Sequence, residues 1–124
     1  MLAGGRSAPS ERPGGTEMST RALVHMPKTA RRGELVEIRV TVQHPMETGY
    51  RRDADGRLLA RNIIRRFECR YDGELVFAAD LHPAIAANPF LGFSTVATVT
   101  GTFAFSWRGD HGFAHTETAS LTVT

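Results

Sequence analysis

The chain has 124 residues, of which 41% are hydrophobic and 23% charged. That suffices for one compact domain with a real core, is too little for two, and contains nothing near the roughly twenty consecutive apolar residues of a membrane helix. The formal charge is only +2, and the single cysteine, Cys69, rules out an intrachain disulfide or a four-cysteine zinc site.

Residues 1–19 are rich in Gly, Pro and Ser and are expected to form a disordered extension ahead of a folded domain over 20–124. Residues 1–17 hold no apolar segment of the length an export signal needs, and Met18 is a candidate natural start. Ala22 to Met26 reads as a short strand stopped by Pro27, and Lys28 to Gly33 as a basic turn. Val36, Ile38, Val40 and Val42 then alternate with Glu37, Arg39, Thr41 and Gln43. A period of two with β-branched residues on one side predicts a half-buried strand.

His44-Pro45 ends that strand. In the polar stretch that follows, Asp53-Ala-Asp-Gly56 has the look of a calcium loop. The acidic residue required at the far end of such a loop would fall at Ile64, so a turn held by Asp side chains and Gly56 is the better reading. Arg51, Arg52, Arg57, Arg61, Arg65, Arg66 and Arg70 crowd this region, relieved by Asp53, Asp55 and Glu68. Such a patch can steer an anion or an acidic partner. Ile63 to Tyr71 predicts a strand with Ile63, Phe67, Cys69 and Tyr71 on one face and Ile64, Arg66, Glu68 and Arg70 on the other. Asp72-Gly73 is a hairpin signal, so 62–71 and 74–81 should pair antiparallel.

Asp80 to Phe93 stands apart. Pro83 and Pro89 keep any central strand out of it, yet Leu81, Ile85, Phe90, Leu91 and Phe93 are too apolar for a solvated linker. A long, greasy, structured connection either plugs the end of a core or is offered to another protein. Ser94 to Thr100, then Phe103-Ala-Phe-Ser-Trp107, then Phe113 to Thr124 read as the remaining strands. About seven strands at spacings near ten residues, with no helical pattern, predict an all-β fold: an immunoglobulin-like antiparallel β-sandwich. Trp107 is expected to anchor its core.

Catalytic constellations are absent from the pattern. Five histidines and one cysteine match the ligand count of a small redox metalloprotein with a His/Cys iron or copper site on such a sandwich. Cys69, however, falls in mid-strand on the face of Phe67 and Tyr71, and His111 and His115 would stand about 13 Å apart on a strand. A reactive thiol needs an exposed electropositive setting that Cys69 lacks. Nucleic-acid binding wants aromatics interleaved with the arginines, and only Tyr50 is available.

His44-Pro-Met-Glu-Thr-Gly49, followed by Asp80-Leu-His-Pro-Ala-Ile-Ala-Ala-Asn-Pro-Phe90 and supported by Phe67-x-Cys-x-Tyr-Asp-Gly73 and Phe103-x-Phe-x-Trp107, resembles the SoxZ family. This family comprises the Z subunits of the Sox sulfur-oxidation carrier complex, SoxYZ. The resemblance implies a non-catalytic scaffold without a cofactor. It would be periplasmic, exported together with a signal-bearing SoxY partner whose C-terminal arm cysteine covalently carries the sulfur intermediates of thiosulfate oxidation. Through that complex it would meet the other Sox enzymes, without binding nucleic acid or membrane, and it could self-associate when isolated. The ending Leu121-Thr-Val-Thr124 lacks the glycine-flanked cysteine of the arm-bearing subunit, so Cys69 is not expected to be the carrier thiol. Partner pairing must bury a lasting patch, and His44, Met46, His82, Pro83, Ile85, Asn88, Pro89 and Phe90 are expected at or near it. Arg51, Arg52, Arg61, Arg65 and Arg66 are the expected electrostatic patch.

Overall fold

The computed structural model describes residues 21–83 and 85–124; the expected extension over 1–19 lies outside them. The described residues form eight strands: β1 (Ala22–His25), β2 (Thr29–Ala30), β3 (Leu35–Val42), β4 (Ile64–Tyr71), β5 (Glu74–Asp80), β6 (Phe90–Val96), β7 (Gly101–Gly109) and β8 (Ala114–Val123). One 3-10 turn, Asp110–Gly112, is the only helical piece among them. A three-stranded sheet, β1-β3-β6, packs on a five-stranded sheet, β2-β8-β7-β4-β5. The all-β, immunoglobulin-like sandwich is therefore the fold. The strand beyond the expected seven is β2, a two-residue piece inside the predicted basic turn. It pairs with the end of β8, and that pairing is parallel, not antiparallel.

The predicted alternation in β3 is what drives the sheets together. Val36, Ile38, Val40 and Val42 are at most 1% exposed, whereas Leu35, Glu37 and Arg39 face solvent. Opposite them lies an aromatic layer. Phe67 on β4 contacts Trp107 (ring centroids 5.2 Å) and Phe105 (6.5 Å) on the neighbouring β7, Phe77 on β5 (6.1 Å), and Phe93 across the sandwich on β6 (5.9 Å). Phe93 also stacks on Phe77 at 4.2 Å and 2° between planes, joining the two sheets along their β5/β6 side. Trp107, 1% exposed, anchors the core as expected.

Two boundaries depart from the alternation. Ile64 was expected on the solvent face but is fully buried, as is its neighbour Ile63. The β4–β7 register slips between Ile64 and Arg66, and this bulge turns Ile64 inward three residues before Phe67 resumes the core face. The loop expected to run to Phe93 ends sooner. β6 begins at Phe90 and pairs with β3 from Thr41↔Phe90 onward, because Pro89 sits just outside the ladder where its missing donor is harmless. The β4–β5 hairpin is as predicted: Asp72 and Gly73 both take positive φ, 49° and 84°.

Tyr71 fastens the β6–β7 turn to β4. Its hydroxyl accepts the N–H groups of Thr98 (3.1 Å) and Val99 (3.0 Å) and donates to the Val99 carbonyl, while its ring stacks on Phe103 at 4.3 Å. Tyr71→Phe keeps the stacking and strands two backbone donors. It should lower the unfolding free energy by ~1–2 kcal/mol, read as an earlier denaturant midpoint at unchanged slope.

Candidate partner interface

The two loop motifs singled out in the sequence meet at one end of the sandwich. His44 leaves β3 and Asn88 precedes β6, and the two residues clamp each other. The His44 N–H donates to Asn88 Oδ1 (2.8 Å), and the Asn88 N–H donates to the His44 carbonyl (2.7 Å). Asn88 holds φ at 53° to do so, a left-handed conformation that asparagine tolerates better than most side chains. The Val42 N–H adds a bond to the Pro89 carbonyl at 3.3 Å, and the Leu81 N–H ties the start of the loop to the Arg65 carbonyl at 2.9 Å.

Beneath this clamp the His44 ring is 4% exposed. Its Nδ1 accepts the Met46 N–H at 3.0 Å, and Phe113 meets the ring edge-on at 4.9 Å. With Nδ1 an acceptor, the neutral ring carries its proton on Nε2. Met46 is likewise 4% exposed, and the Ile64 N–H points at its sulfur at 3.2 Å.

Asp110 closes the same end. Its carboxylate takes both guanidinium nitrogens of Arg61 (2.9 Å each) and the Ile63 N–H (3.1 Å), with Arg65 Nε at 3.6 Å. Its own N–H returns to the Ile63 carbonyl at 2.9 Å. Gly109 permits this close approach, since a Cβ there would strike the Ile63 backbone. The hydrogen bonds from Arg61 hold the Asp110 carboxyl below its ordinary pKa. Burial pushes the His44 imidazole below its ordinary value, with the Asp110 charge opposing.

The structure thus sorts the expected interface residues into two groups. His44, Met46 and Pro89 are buried and act from inside, bracing the loops. His82, Asn88, Ile85 (39% exposed) and Phe90 (60%) face outward, with Pro83 half-buried. The arginine group is not an open cationic field. Arg51 pairs with Glu47 at 2.6 Å, Arg61 and Arg65 with Asp110, and Arg66 with Glu68 and Asp80, both at 3.0 Å. Arg52 alone of the five meets no carboxylate among the described residues; it donates to the Gly56 carbonyl at 2.7 Å. Sequence reasoning missed Asp110, whose role depends on contacts with residues 45 or more positions away.

Cys69 is fully buried, between Phe77 and Phe105 on the flanking strands, and burial pushes its thiol up to about 12. Among the described residues no three His, Cys, Asp or Glu side chains are grouped to hold a metal. His25 lies on the outer face of β1, His44 is buried under the clamp, and His115 packs on Trp107 at 5.9 Å.

Comparison with known families and structures bears on this arrangement. The model of the family described as sulphur oxidation protein SoxZ matches residues 24–120. A search of curated protein sequences found no match. Among solved structures, the chain is similar to the superoxide reductase (neelaredoxin) from Ignicoccus hospitalis, with 16% identity, TM-score 0.64, and coverage of 85% of this chain and 82% of that one. It is similar to a putative superoxide reductase from Thermotoga maritima, with 18% identity, TM-score 0.62, and coverage of 83% and 85%. It is also similar to the sulfur carrier protein SoxY from Chlorobium limicola f thiosulfatophilum, with 14% identity, TM-score 0.59, and coverage of 83% and 78%. At these identities the likenesses establish a shared sandwich fold and nothing about chemistry.

Two measurements check the site. The folded state holds His44 neutral at pH values where an unfolded imidazole is already protonated, so the unfolded chain binds more protons and stability falls as pH falls. The contribution is complete above the ordinary value of 6.5 and fades as pH drops through the folded value. A second loss, from Asp110, sets in below the ordinary carboxylate value of 3.8. The melting temperature should therefore decline on acidification from pH 6.5, and His44→Gln should flatten that slope; a parent protein flat over this range contradicts the assignment. Separately, Cys69 should resist a thiol-specific reagent at pH 8 in the native protein and react fully on denaturation.

Proposed function

The chain belongs to the SoxZ family of sulphur oxidation proteins, and from that membership we propose that it is the non-catalytic scaffold half of a SoxYZ carrier complex. In this reading it pairs with a SoxY subunit, and the sulfur intermediates of thiosulfate oxidation stay attached to a cysteine on that partner's C-terminal arm. It reaches the periplasm bound to the exported partner and meets the other Sox enzymes as part of the pair. The structural likeness to a SoxY supports a complex of two related sandwiches. The state of Cys69 supports placing the carried sulfur elsewhere, since a carrier thiol must be exposed, mobile and ionisable near neutral pH.

The observation that carries the pairing face is Phe90. It is 60% exposed, yet its backbone is fixed on both sides, by the β3 ladder and by the His44–Asn88 clamp. An exposed aromatic on a rigid support is an efficient binding anchor, because little conformational entropy is lost on association. Ile85, 39% exposed, extends the apolar surface along the loop. Partner steering by the arginine group draws on Arg52 and on the charge left over where Arg61 and Arg65 share the single Asp110 carboxylate.

The test is co-expression with a SoxY subunit. Phe90→Asp and Ile85→Asp should each weaken the pair by at least about tenfold, with circular dichroism and melting temperature near those of the parent. Intact mass after exposure to thiosulfate and the remaining Sox enzymes should show sulfur adducts on the partner alone. An adduct on Cys69, or pairing indifferent to both substitutions, would refute the respective half of the reading.

A further inference from the structure

The outward faces of the two sheets differ in one respect that bears on assembly. On the five-stranded sheet the charges are mutually satisfied: Arg66, Arg70 and Arg108 all converge on Glu68, and Arg66 also reaches Asp80. Around them stand the small polar side chains of β8: Thr116, Thr118, Ser120 and Thr122. On the three-stranded sheet, Glu37 and Arg39 project side by side from the central strand, and neither forms an ion pair with any described residue. Apolar side chains stand exposed at both ends of the same face: Leu35 (62%) beside Val96 (46%), and Leu23 (61%) and Phe90 (60%) flanking Thr41. Between those ends, Gly92 and Ser94 leave the surface flat.

We propose that this outer face of β1-β3-β6 is self-complementary and that its occupant is a second copy of the chain. The strand register supplies the argument. Along β3 and β6 the outward rows are Leu35–Val96, Glu37–Ser94, Arg39–Gly92 and Thr41–Phe90. Consider a two-fold axis lying between two stacked copies, perpendicular to the strands and passing between Glu37 and Arg39. It brings each Glu37 over the other copy's Arg39, each Phe90 over the other copy's Val96, and each Gly92 over Ser94. Both charges gain a partner, the apolar ends of β3 and β6 are covered, and the β6 side of the middle is flat, with His25 of β1 standing beside Arg39. An isologous pair of this kind needs only one patch and closes on itself.

The footprint sets the strength. With strands ~4.8 Å apart and residues ~3.3 Å apart, seven residues on each of β3 and β6 and the four of β1 give roughly 290 Å² per copy, under half of the ~800 Å² per partner of a standard stable complex. The pair is therefore weak and exchangeable, held apart from aggregation by its two-fold closure.

The isolated full chain is enough to test this, so the result is independent of pairing with any other subunit. Sedimentation equilibrium from about 1 μM to about 1 mM should show a monomer–dimer equilibrium. Glu37→Arg and Arg39→Glu, which set like charges opposite one another, should each weaken it about tenfold. The double variant, which restores opposite charges across the axis, should return towards the parent value. Phe90→Asp should abolish the dimer, with Val96→Asp as a second reporter should the first misfold. Thr118→Asp, on the opposite sheet, should leave it unchanged. A chain monomeric throughout, single charge reversals without effect, or a double variant no better than either single would each overturn the proposal.

Discussion

Phe67 is the point at which the two sheets are fastened. It touches three aromatic rings in its own sheet and one, Phe93, in the other. Truncating a buried ring of this kind to alanine typically costs ~3–5 kcal/mol, a large share of a small domain's net stability. With no disulfide available, this aromatic layer and the β3 valines are what keep sheets of unequal width in register. The narrow sheet cannot cover the wide one, and the uncovered inner face of β8 carries half-buried residues such as His115 and Glu117, which pair at 2.9 Å. Polar residues are tolerated there because water still reaches them.

From that layer the constraint passes to the end of the sandwich. The Ile64 bulge places Ile63 under Asp110; Asp110 fixes Arg61 and the start of β4; Met46 and His44 pack over Ile64 and Phe113; and His44 fixes Asn88, hence the start of β6 and Phe90. The links combine hydrogen bonds to backbone with one side-chain ion pair and one ring contact. The loop motifs are thus used mainly to hold one another, and what they display to solvent is a small remainder, Ile85 and Phe90 above all. The two readings of the Asp80–Phe93 stretch, plug and display, are therefore both true of different residues: Leu81 and Pro89 plug, while Phe90 is displayed.

How much of this was legible in the sequence follows from how local each signal is. The β3 alternation, the Asp72-Gly73 hairpin and the Phe103–Trp107 strand declare themselves within ten residues, because side-chain period and turn φ are local properties. The inward turn of Ile64 was not legible, since a bulge is set by the partner strand's register. The short parallel β2 was equally hidden, as two residues carry no period. The ion pairing of the arginine cluster was hidden for a related reason: linear charge density says nothing about carboxylates such as Asp110 that arrive from elsewhere in the chain. His44 and Met46 were expected at or near a partner surface, and sequence could not say that burial would set them behind that surface instead of on it.

The same separation of inside from outside governs the one thiol. Cys69 sits directly opposite both Phe77 and Phe105 in the ladders, where ionising it would place a charge among aromatic rings. The sandwich can make that site reactive only by opening the core, at a cost comparable to unfolding. A protein built this way has no route to moderate reactivity at that position. Its two outer faces then divide by charge pairing: on one the arginines already meet carboxylates, on the other an acid and a base are left side by side and the apolar ends are uncovered. Surface of the second kind is stable in water but gains on being covered, which is the physical meaning of a scaffold.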